Sequence, residues 1–154
     1  MFPYPTDSNN WLNPPYLKDE IELFLDLDHD HNVIRTLRDF QIMVPVVGPY
    51  RLFIPPSYEE RKAGLSRRTY TPQVKVRSTP KGYNLEIAFK WSELELLPKP
   101  DLSLGVNLVN SDREDEAGVV MTASWAGISD LLHHNPSEWA DLQLVKLSFF
   151  SRNK

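Results

Sequence analysis

The side chains able to do chemistry fall into two sets. The first is the run DLDHDHN, in which Asp26, Asp28, Asp30 and Asn32 stand at alternate positions with His29 and His31 between them. Hard oxygen donors clustered where a strand runs into a loop suit calcium. An EF-hand is excluded, because His31 occupies the sixth loop position, which needs glycine, and Leu37 the twelfth, which needs glutamate. His29 and His31 offer nitrogen ligands to a transition metal; an acidic turn without metal is the plain alternative. The second set is dispersed: Trp11, Glu22, Gln41, Asn107, Trp125, and the loop from His133 to Trp139. Sugars present C–H faces that aromatic rings cover and hydroxyl edges that carboxylate and amide groups bond, so this set suits a carbohydrate.

Catalytic patterns are missing. There is no Gly-x-Ser-x-Gly elbow and no glycine-rich phosphate loop. With no cysteine, thiolate catalysis, disulfides and Cys-based zinc sites are ruled out. Nothing among the 21 acidic residues singles out the carboxylate pair of a glycoside hydrolase. His133 and His134 are adjacent, which makes their side chains diverge and suits them poorly to share one metal.

Strands must position these residues. Residues 82–95, GYNLEIAFKWSELE, carry Tyr83, Leu85, Ile87, Phe89 and Trp91 at alternate positions, one face of a strand. They are expected to form the central strand of a β-sandwich, with Ser92 and Glu95 at capping-box spacing for a short helical turn after it. Residues 20–28 alternate too: Ile21, Leu23, Leu25 and Leu27 point to the core, while Glu20, Glu22, Phe24, Asp26 and Asp28 form an outer face open to solvent or a polar ligand. Further strands are expected at 39–47, 73–78, 104–110, 119–125 and 142–149, with a surface helix at 57–64 and a charged loop at 112–118. Thr79-Pro80-Lys81-Gly82 should turn the chain between two antiparallel strands. The sum is an all-β, antiparallel β-sandwich of the jelly-roll or immunoglobulin-like kind with one or two short helices. Residues 1–18, rich in proline, form an irregular arm, and 19–150 the sandwich domain.

Length and composition agree. The chain has 154 residues, enough to bury a core without a staple, and is 41% hydrophobic and 25% charged. Its net charge of −4 gives no electrostatic support to a nucleic-acid or anionic-membrane role. No apolar run approaches the roughly 20 residues of a membrane span, and the first residues show no signal-peptide pattern.

Four segments, in order, resemble family 9 carbohydrate-binding modules, β-sandwich modules attached to xylanases and other polysaccharide-acting proteins. They are 19–26 (DEIELFLD), 82–91 (GYNLEIAFKW), 104–112 (LGVNLVNSD) and 135–144 (NPSEWADLQL). The resemblance implies a non-catalytic module, extracellular or periplasmic, that holds the reducing end of a xylan- or cellulose-type sugar between two tryptophans. Trp11 takes the place of the first, and Glu22 that of a sugar-bonding glutamate. Gln41 stands where the family has an arginine, and His133 where it has the second tryptophan. Structural calcium is also implied. The family's first strands, with a D-G-x-x-D-x-x-W segment, have no counterpart before Asp19, so the chain is expected to be a fragment or to have its sheet completed by a partner chain or a dimer. Two other readings stay open: a structural or assembly domain that has lost the sugar clamp, and a haem-binding sandwich relative using Met43, Met121 and histidines.

Overall fold

The alternation at residues 20–26 becomes β1 (Glu20–Asp26), the middle of a six-stranded antiparallel sheet. The computed structural model describes residues 19–54, 70–114, 119–127 and 135–146. β2 (Asp39–Pro45) flanks β1 on one side, with β3 (Arg51–Phe53) beyond it. On its other side runs β6 (Ser103–Glu114), twelve residues long. The far edge of β6 is shared: β7 (Val119–Ser124) pairs with residues 109–114 and β8 (Ala140–Gln143) with residues 103–106. Between β3 and β6 come β4 (Gln73–Thr79) and β5 (Gly82–Ala88), a separate two-stranded hairpin, then the one-turn helix α1 (Trp91–Leu94). A 3₁₀ turn at Pro136–Glu138 leads into β8.

The fold is thus an all-β sandwich with almost no helix among the described residues. The predicted hairpin forms with Thr79 opposite Gly82. Pro80 fixes a negative φ, so the turn places its positive φ, 137°, on Gly82, where no Cβ objects. Residues 82–95 do not supply the central strand. β5 has only β4 as a ladder partner, and Tyr83, Leu85 and Ile87 are half-buried. The alternation was that of one layer's inner face, which looks the same in a two-stranded and a six-stranded sheet. Trp91 belongs to α1, whose N-cap is Lys90 without a side-chain bond, so the capping box at Ser92 does not form. β6 runs four residues past the expected Asn110 into the charged segment, and β8 starts two residues before the expected 142. The helix expected at 57–64 and the end of the last strand, 147–149, lie outside the described residues.

Antiparallel partners share a face. Register therefore puts Leu23, Leu25, Phe40, Ile42, Leu104 and Val106 on one face of the large sheet. This apolar face carries the main core, where Phe40 stacks at 4.5 Å from Tyr70 and 5.3 Å from Phe89, with Leu94 and Trp91 packed beside them. Burying side chains of this size stabilises by about 1.5–3 kcal/mol each.

Candidate functional site

The opposite face of the same sheet, expected to be open to solvent or a polar ligand, is buried. Glu20, Glu22, Phe24 and Asp26 from β1, Asp39 and Gln41 from β2, and Asn107 and Ser111 from β6 are all buried there. Their order follows from register: Phe24 sits opposite both Gln41 and Asn107, and Asp26 opposite both Asp39 and Gly105. Phe24 is closed off by Trp139, ring centroids 5.4 Å apart, and the Arg35 guanidinium lies over both rings at 5.9 and 5.5 Å. Trp139 is therefore a buried packing residue of the polar face and offers no platform to a ligand.

Two of the sequence-derived sugar ligands meet on this face. The Gln41 amide donates a hydrogen bond to Glu22 Oε2, and both side chains are at most 7% exposed. A buried acid–amide pair is a device for bonding hydroxyls, since it has both donor and acceptor capacity. Asn107 shares the face but is engaged elsewhere. Its amide donates to Ser124 Oγ and the Ala126 carbonyl, and its oxygen accepts from the Leu108 and Ala126 amides. Trp125, 59% exposed, lies on the other side of the sheet, beside a cleft of about 540 Å³ shared with Ile21, Tyr83 and Leu108. The structure does not bring it to Glu22 and Gln41. Trp11 and His133 lie outside the described residues.

The acidic turn after β1 is built from Asp26. Its buried carboxylate accepts from the amides of Asp28, His29 and His31 at 3.1, 2.7 and 3.1 Å, which winds the chain around it. Gly105 leaves room for that carboxylate: a Cβ there would lie 2.8 Å from Asp26 Cβ. Asp28 instead pairs with Arg38 at 2.9 Å, and Asp30 bonds Asn32. The three aspartates are thus engaged separately.

Metal-type ligand atoms converge one step away. His29 Nε2 and His31 Nε2 each lie 3.0 Å from the same oxygen of Asp141, on β8. Hydrogen bonding from His29, reinforced by His31, holds the Asp141 carboxyl below the usual carboxylate range. Sequence reasoning noted both histidines and missed Asp141, since 112 residues separate it from His29 and only the pairing of β8 with β6 opposite β1 brings them together. It also missed Arg35 and Asp39, which read as ordinary loop and strand-end charges. Burial pushes the Asp39 carboxyl up to about 7; the Thr36 amide opposes that rise and the charge of Asp26 across the ladder adds to it.

The solved structures support the same architecture. A family 9 carbohydrate-binding module from Caldicellulosiruptor kristjanssonii, solved in complex with cellotriose, aligns at a TM-score of 0.67 and 19% identity over 88% of this chain and 62% of its own. A module of that family from the same organism in complex with glucose aligns at 0.69 and 18% identity, over 92% of this chain and 66% of its own. The chain thus spans about two thirds of the length of these modules. No curated protein matches it. The model of the family described as "Carbohydrate family 9 binding domain-like" matches residues 6–147, nearly the whole chain, and the protein belongs to that family.

Proposed function

We propose that the protein is a non-catalytic carbohydrate-binding module that takes the end of a glucose-type sugar or oligosaccharide on the polar face of its large sheet. The observation carrying this reading is the buried Glu22–Gln41 pair, an acid and an amide held together on the face away from the core. Family membership makes a sugar the natural partner for such a pair, and the glucose and cellotriose complexes of similar modules support that sugar class. In this proposal Glu22 and Gln41 bond hydroxyls, Trp11 and His133 cover the sugar's C–H faces, and the module acts outside the cytoplasm beside a polysaccharide-acting partner. Glucose and cellotriose should raise Tm and give saturable heats in calorimetry. Glu22→Ala should weaken binding at least tenfold, because a hydrogen bond to a charged group contributes about 1.5–3 kcal/mol.

A second reading has its own support. Asn107 is fully engaged within the fold, and Gln41 and His133 stand where the family has an arginine and a tryptophan, as in a sandwich kept for assembly after its sugar clamp was lost. That reading expects no response to any mono- or oligosaccharide in a broad panel, together with a stable dimer or complex in light scattering. A monomer that binds glucose or cellotriose would exclude it.

A further inference from the structure

We infer that His29, His31 and Asp141 form a binding site for a divalent transition metal, zinc by its ligand chemistry, which staples the turn after β1 to β8. Among the described residues this is the trio of His and carboxylate side chains whose ligand atoms all lie within 4.8 Å of one another. Two Nε2 atoms face one carboxylate oxygen at 3.0 Å each. Zinc bonds of about 2.0–2.2 Å at tetrahedral angles put two ligand atoms about 3.3 Å apart, close to the 3.0 Å of each histidine–Asp141 pair.

The hydrogen-bond pattern of His31 points the same way. Its Nδ1 faces the Pro136 carbonyl at 3.3 Å, which leaves Nε2 turned toward Asp141. A ring N–H bonded to a backbone carbonyl is also the usual outer support of a metal-bound histidine, fixing the tautomer and aiming Nε2.

The surroundings suit an ion. Competing carboxylates are occupied, Asp28 by Arg38 and Asp30 by Asn32. The imidazoles are 29% and 30% exposed and Asp141 69%, which leaves the remaining coordination positions to water. Both histidines hold left-handed backbone, φ 51° and 49°, and their rings meet at 4.5 Å. Two imidazoles and a carboxylate select zinc, copper or nickel over calcium and magnesium, and zinc has no geometric demand that this set would violate.

The test uses chelator-stripped protein and zinc chloride alone, without sugar. Calorimetry should show one zinc ion per chain. Zinc at about 100 times its Kd should raise Tm by roughly 5–10 °C, while millimolar calcium should not. His31→Ala and Asp141→Ala should each weaken binding at least tenfold, and a His133→Ala/His134→Ala double variant should bind zinc as the unchanged protein does. Should either single variant fail to fold, ring-nitrogen NMR of the unchanged protein decides, with the Nε2 signals of His29 and His31 shifting on zinc addition. The inference is overturned if zinc leaves those signals and Tm unmoved, if calcium matches zinc, or if the His133/His134 variant alone loses the metal. Each result is independent of whether the module binds sugar.

Discussion

On one side of the six-stranded sheet Phe40, Leu104 and Val106 pack with α1 and the aromatic residues around it; on the other Glu20, Glu22, Asp26, Asp39, Gln41, Asn107 and Ser111 are buried. The apolar side gains from every area it removes from solvent. The polar side gains little that way and depends on each donor and acceptor finding a partner, as Asp26 does with three amides and Asn107 with the chain after β7. One face can tolerate small changes of shape, and the other is sensitive to single atoms. The proposed function uses the second, where buried polar groups are already oriented and few rotamers remain to be fixed on binding.

This contrast can be broken from either side. Phe40→Ala should have the largest effect, about 3–5 kcal/mol of lost stability by urea unfolding, because it opens a cavity between Tyr70 and Phe89. Gly105→Ala should cost about 1–3 kcal/mol, as its methyl collides with Asp26. Amide exchange at Asp28, His29 and His31 should accelerate with it; unchanged protection would mean that Asp26 does not hold the turn.

Asp39→Asn should act in the opposite direction. With its native value near 7 and its ordinary one at 3.8, Asp39 keeps in the folded state a proton that the unfolded chain releases. Stability from this group therefore falls as pH rises from about 4 to 7. An amide cannot ionise and can still accept from the Thr36 amide, so the variant should gain on the order of 1 kcal/mol at pH 8 and nothing at pH 3. Equal Tm differences at both pH values would refute the assignment. The smallest change is expected from Trp125→Ala, under about 0.5 kcal/mol because the ring is exposed, with sugar binding intact. If that variant abolished the sugar response and Glu22→Ala did not, the ligand would belong to the cleft on the apolar side.

Much of this was readable from residue order. Alternation located β1, β2, β4, β5 and β7, and the Thr79–Gly82 turn located the hairpin. The limits have a physical cause. A period of two says which residues share a face and nothing about what covers it, so the face of Glu22 and Asp26 read as open to solvent or a polar ligand although Trp139 and Arg35 pack on Phe24 at its centre. The same blindness promoted residues 82–91 to the centre of the fold. Of the candidate sugar ligands, Glu22 and Gln41 bond each other, Asn107 shares their face but spends its amide on the chain after β7, and register puts Trp125 on the other side, details that no local pattern carries. Asp141 stayed invisible because a lone aspartate on a strand has no signature until its cross-sheet neighbours are known.

The two short strands along the far edge of β6 give the C-terminal third of the domain a modular character. β7 takes its register from residues 109–114 and β8 from 103–106, so neither depends on the other for alignment. Leu108 still binds the Trp125 amide, and Asn107 closes the seam with its side chain. A substitution that weakens one of these two strands should therefore leave the register of the other in place.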